Sequence, residues 1–160
     1  MDATPVSDAD PDATLSYESL AVGDTFDAER TTTLTEDDIT AFAGEYDPQP
    51  FHLDREAGAA SMFDGLVASG LHTYCACNRL ATEAFFSRVA FMGGRGVDDL
   101  RWQRPVRPGD TLSASVEVVS KRLSESNPER GYVDVAVTGT NGDDETVVTW
   151  TVLGMVRREA

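Results

Sequence analysis

The sequence predicts one α+β domain in which a long central helix is wrapped by a strongly twisted antiparallel β-sheet. Three observations carry this expectation. Residues 69–87 are the longest stretch with apolar side chains at helical spacing. Four later segments read as strands with turn signals between them, and two of them, TLSASVEVVSKRLSE and GYVDVAVTGTNG, alternate apolar and polar residues. At 160 residues the chain suits one domain with a real core and is short for two.

The elements follow in chain order. Residues 1–14 are acidic, contain Pro5 and Pro11, and are read as a solvated tail, leaving residues 15–160 as the domain. The start lacks the basic end and apolar run of a secretory signal. The Thr-rich stretch GDTFDAERTTTLT is read as the first strand. TEDDITAFAGEY opens a helix with Thr35 as N-cap and acids in the first turn, and Ile39, Phe42 and Ala43 give it a short apolar face. Pro48 and Pro50 stop it. DREAGAASM is read as a further short helix. In SGLHTYCACNRLATEAFFS, Leu71, Tyr74, Cys75, Leu80, Ala84 and Phe85 share roughly one side, widened by Cys77, Ala81 and Phe86. A girth that broad fits a helix wrapped by other elements. GVDDLRWQRPV is a strand ending at Pro105, and an RPGD turn follows. TLSASVEVVSKRLSE, GYVDVAVTGTNG and TVVTWTVLGMVRR complete the set.

Composition narrows the classes. There are 28 acidic residues against 13 basic ones, a net charge of −15, and Lys121 is the sole lysine. Such a surface fits a protein working in molar salt, where the Debye length falls to about 3 Å. An ordinary acidic cytoplasmic protein is the plainer alternative. Nucleic acid is not the expected partner, because phosphates seek a basic face. Membrane spanning is not expected either, since no run nears the roughly 18 apolar residues a spanning helix needs. Cys75 and Cys77 point apart on a helix, so they are read as small buried residues in a reducing cytoplasm. With two histidines in the chain, no metal site is expected.

The segment YDPQPFH sets Asp47 and His52 on a frame stiffened by Pro48 and Pro50. A carboxylate and an imidazole bonded to one water can take a proton from it and deliver one nearby, a step typically worth about 10²–10⁴-fold in rate. A structural histidine capping a Pro-rich loop uses the same residues. ASGLHT places Ser69 as N-cap and Gly70 at the first helical position. Bare N–H groups and the helix dipole there suit an oxyanion growing on a thioester carbonyl, and glycine admits a close ligand. An ordinary serine cap beside a small packing residue reads the same way.

Residues 42–70, FAGEYDPQPFHLDREAGAASMFDGLVASG, resemble the motif of the MaoC-like (R)-specific enoyl-CoA hydratases. That motif runs Asp, any residue, Asn, Pro, an aliphatic residue and His, with a downstream Phe and an Ala-His-Gly at a helix start. Asp47, Pro50 and His52 match in type and spacing, and Asp54, Phe63 and Gly70 fall at family positions. The strand pair around GVDDLRWQRPVRPGDTLSASVEV extends the resemblance over residues 16–156. It implies a single hot-dog domain, dimerised edge to edge as a homodimer or an oligomer of dimers. It also implies syn hydration of a trans-2-enoyl-CoA to the (R)-3-hydroxyacyl-CoA. Asp47 and His52 would activate water and the Gly70 amide would polarise the carbonyl. The acyl-CoA is substrate, and no cofactor is implied.

Several positions depart from the family pattern or carry further expectations. Gln49 stands for the usual Asn, keeping an amide on a longer arm, and Ser69 stands for the usual His. His72, three residues on, either borders the pocket or is a satisfied core histidine. Asn78 falls where some members have a positioning Ser. Phe63 is expected at the pocket with Ser69. Arg101, Arg104 and Arg107, with Arg95, either grip coenzyme A phosphates or pair with Asp98, Asp99 and Asp110. A hot-dog thioesterase and a non-catalytic acyl-CoA-binding subunit are the rival readings.

Overall fold

A computed structural model describes residues 14–160, so the expected acidic tail lies, apart from Thr14, outside the described residues. Among the described residues there are four α-helices: α1 (Glu36–Tyr46), α2 (Pro50–Leu53), α3 (Arg55–Ala59) and α4 (Gly70–Ala84). The strands are β1 (Thr25–Asp27), β2 (Thr32–Thr33), β3 (Phe91–Trp102), β4 (Thr111–Leu123), β5 (Arg130–Thr140) and β6 (Thr146–Arg157). They form an antiparallel sheet in the order β1-β4-β5-β6-β3, with β2 also on β4. The sheet wraps α4, which is the hot-dog layout. None of the described helices is long and apolar enough to cross a membrane.

Alternation does the sorting. Leu112, Ala114, Val116 and Val118 of β4 and Val133, Val135 and Val137 of β5 are all buried, and the intervening residues are not. Register lines up Phe26, Val116, Val137 and Trp150 in one row across four strands. Against these strands α4 buries Cys77, Leu80, Ala81 and Ala84, and Phe85 follows. Each such Val or Leu contributes about 1.5–3 kcal/mol of transfer free energy. Contact between helix and sheet is close: a Cβ on Gly139 would lie 2.6 Å from Cys77 Sγ and 2.8 Å from Val148 Cγ1.

Three sequence expectations need correction. The first strand is two short ones. Five steps from Asp27 to Thr32 face three from Ser115 to Leu112, so two residues are extruded, and Arg30 in that bend reaches Glu83 on α4 at 2.6 Å. β3 begins at Phe91 rather than Gly96 and stops at Trp102, before Pro105. Its glycines, of low strand propensity, and its register shifts masked the true start. On α4 the inward line runs through Thr73 and Cys77, so Leu71 and Cys75 face outward. Burial pushes the Cys77 thiol up to about 12, as for an inert core residue, whereas Cys75 is exposed.

Candidate active site

The site begins at the end of α1. Thr35 and Asp38 close a capping box at its start, and Asp47 is its C-cap, with its N–H on the Ala43 carbonyl at 2.9 Å. Pro48 cannot continue the helix, and Pro50 occupies the first position of α2, where its missing N–H costs nothing. The prolines therefore split one helical path in two. Asp47 closes the first part, and His52 stands in the single turn of the second, not in an irregular loop. His52 is buried, and its Nδ1 lies 2.7 Å from the Val67 carbonyl oxygen. A carbonyl only accepts, so in the neutral ring Nδ1 carries the proton and Nε2 presents its lone pair. That nitrogen is 3.5 Å from Asp47 Oδ2.

Both carboxylate oxygens of Asp47 are held. The fully buried Ser69 donates its hydroxyl to Oδ2 at 2.6 Å while accepting from the Leu71 N–H at 3.2 Å. Gln49 Nε2 donates to Oδ1 at 2.7 Å. The Ser69 hydroxyl first, and the Gln49 amide second, hold the Asp47 carboxyl below its ordinary range, against the opposing effect of burial, with a smaller contribution from His52. Ser69 thus ties the tip of α4 to the acid, and Gln49 spans to it from the other side.

Asp47 and His52 open on a cavity of about 530 Å³. Phe51 and Phe63, ring centroids 5.4 Å apart, belong to its wall, as does Gly70 at the start of α4. The reason for glycine at position 70 differs from the expected one. The Trp102 indole lies over it: a Cβ there would come within 2.6 Å of Trp102 Cε2, and Trp102 Nε1–H donates to the Gly70 carbonyl at 2.9 Å. The space above the Gly70 Cα belongs to a side chain of this chain. Sequence reasoning missed Trp102, whose signal is slight: a large aromatic at a strand end just before the Arg104-Pro105 turn.

The other expected residues separate. Asn78 lies roughly 12 Å further along α4 at ~1.5 Å per residue and lines a different groove with Tyr74, against β3. His72 is also absent from the Asp47–His52 cavity. Its ring stacks on Phe42 at 4.5 Å and 5°, in a groove between α1 and α4. Its Nδ1 is buried without a partner, so it is not a satisfied core histidine, and burial lowers its pKa against the pull of Asp38. The helical spacing rule failed because Ser69, an N-cap at φ −54° and ψ 140°, is not itself helical. The arginines diverge. Arg101 donates to its neighbour's carbonyl at Leu100, Arg104 pairs with Glu145 at 3.0 Å, and Arg107 donates to the Phe63 carbonyl. Arg104 lines the cavity; Asp110 accepts from the Arg107 backbone, and Arg95 meets Asp134 rather than Asp98 or Asp99. Among the described residues no three His, Cys, Asp or Glu side chains come together to hold a metal ion.

Residues 18–141 match the family described as MaoC like domain. An uncharacterized protein, YdeM, of Bacillus subtilis is 30% identical over 125 residues, covering 78% of this chain and 87% of its own. The crystal structure of a MaoC-like dehydratase from Rhodospirillum rubrum has a TM-score of 0.84 at 40% identity, covering 91% of this chain and 99% of its own. The unliganded R-hydratase PhaJ1 of Pseudomonas aeruginosa has a TM-score of 0.68 at 26% identity, covering 92% and 88%.

Proposed function

The chain belongs to the MaoC-like domain family, and on that premise we propose that it hydrates trans-2-enoyl-CoA reversibly to (R)-3-hydroxyacyl-CoA. One observation carries the proposal: Asp47 Oδ2 and His52 Nε2 lie 3.5 Å apart on a cavity that also contains the first residue of α4. Two acceptors so placed can each take one hydrogen of a single water, leaving an oxygen lone pair free to attack. His52 Nε2 takes a proton as the oxygen bonds to C3. The electron pair of the C2–C3 bond moves into an enolate, whose oxygen faces the Gly70 N–H and the positive end of α4. His52 then returns the proton to C2 on the same face. Water has added, both side chains are restored, and the reaction balances without a metal or redox cofactor. Asp47 holds the water and offsets the imidazolium charge while it exists.

We further propose a homodimer joined along β3, the long edge strand of the sheet, where Met92 and Val97 are 41% and 42% exposed. The reaction is tested with crotonyl-CoA in molar KCl. Loss of the enoyl absorbance without free thiol is the expected result, and thiol release would instead identify a thioesterase. Asp47→Asn and His52→Ala should each lower kcat by about 10²–10⁴-fold. Three equally inert proteins that still bind CoA esters would replace the enzyme with a binding subunit.

A further inference from the structure

The cavity has a floor and a mouth. Val67, Ala68, Thr73 and Val106 are buried and close its inner end, together with His52. Trp102, Gln103, Arg104 and Leu71 are exposed and border the outside. A thioester entering with its acyl group toward the floor must therefore leave its carrier arm across the mouth. Trp102 is the aromatic side chain among them: it is 49% exposed, and the bond from its indole N–H to the Gly70 carbonyl fixes the ring against the helix tip.

We propose that Trp102 is a positioning residue for the pantetheine arm of the thioester, its indole being the platform on which the arm lies as it passes the tip of α4. The inference rests on the thioester reading of this cavity. An arm of methylenes and amides suits an indole face, which offers area with little side-chain entropy to lose. Because the same ring is bonded to Gly70, docking the arm sets the carbonyl beside the Gly70 N–H. Arg104 is paired with Glu145, and the indole face is the apolar surface the mouth offers the arm. The same arm is carried by coenzyme A and by acyl carrier proteins, and the mouth is open to either.

The chain has two tryptophans, and Trp150 is 1% exposed, so quenching of tryptophan fluorescence by acrylamide reports on Trp102. Pantetheine and free CoA, which cannot be hydrated, are each expected to shield it, with the quenching constant falling at least about twofold when bound. Trp102→Ala is expected to raise KM for crotonyl-CoA about tenfold or more, the equivalent of about 1.4 kcal/mol. The crotonyl thioester of N-acetylcysteamine, which has little arm, should change by no more than about twofold. Trp102→Phe keeps a ring without the N–H and should recover most of the lost affinity for the full-length arm. Shielding by CoA but not by pantetheine would mean that the nucleotide covers the ring, and would overturn the proposal, as would unchanged quenching with both. Equal losses for the two thioesters, or a changed preference between crotonyl and octenoyl chains, would make Trp102 a structural or acyl-pocket residue instead. If Trp102→Ala does not fold, the parent's quenching and Trp102→Phe decide. A parent shielded by pantetheine yet inert toward every enoyl thioester would keep this inference and remove the hydratase reading.

Discussion

Asp47 carries two hydrogen bonds on its carboxylate, and the choice of donor at Ser69 has a consequence that pH can read. The Ser69 hydroxyl is the larger of the two influences holding that carboxyl low. A carboxyl depressed in the folded state contributes stability that is present above its unfolded pKa and is lost as pH falls through its folded one. Ser69→Ala should therefore raise the Asp47 pKa, as read by NMR titration of the Asp47 carboxyl carbon. It should also lower stability to urea at pH 7 more than at pH 3. An Asp47 titration that stays in place would mean that the Ser69 hydroxyl does not hold the carboxyl low. The closeness of Asp47 and His52 was legible in the sequence because proline spacing is local: Asp47, Pro50 and His52 lie within six positions. Ser69 and Trp102 were not legible in their roles, since one reaches Asp47 across 22 positions and the other reaches Gly70 across 32. Nothing in a local pattern reports such contacts.

At the scale of elements, the contact between α4 and the sheet sets where the tip of the helix lies, and Gly139 governs how close they come. A methyl there would meet Cys77 Sγ and Val148 Cγ1 at under 3 Å, with atoms of a packed core on both sides. Gly139→Ala should cost about 1–3 kcal/mol through overpacking. Gly142→Ala, which meets nothing within 4 Å in the adjoining turn, should stay within about 0.5 kcal/mol of the parent. Chemical denaturation of the pair checks this, and equal effects would show that the helix can lift without penalty. Strands β4 and β5 were readable because alternation has one physical meaning, a face toward the core, whereas β6 buries Val147 and Val148 side by side. The extruded residues between β1 and β2 and the glycine-rich start of β3 were not, because bulges break the period that the reading depends on. On α4 the apolar girth gave the helix but not its inward side, since Thr73 is buried and Leu71 is not.

For the molecule as a whole, a charge of −15 opposes both compaction and the meeting of two copies. Much of the scarce positive charge is already used locally: Arg30 faces Glu83, Arg55 faces Glu36, Arg104 faces Glu145 and Arg158 faces Glu18. Exposed pairs of this kind contribute at most about 1 kcal/mol each, so they do not offset the excess of acid. What favours association is the free edge of β3, whose backbone groups and Val97 side chain are open to a second strand. Repulsion reaches about 10 Å at 0.1 M salt and about 3 Å at 1 M, so the balance should turn with ionic strength. Sedimentation equilibrium should give twice the 17.3 kDa chain mass in 2 M KCl, with dissociation and a lower Tm at 0.1 M. Val97→Asp, which adds charge at the centre of that edge, should remain monomeric at both. A parent that is monomeric at both salts would end the edge-pairing model, whereas a dimer indifferent to Val97→Asp would locate the interface on another face of the sheet.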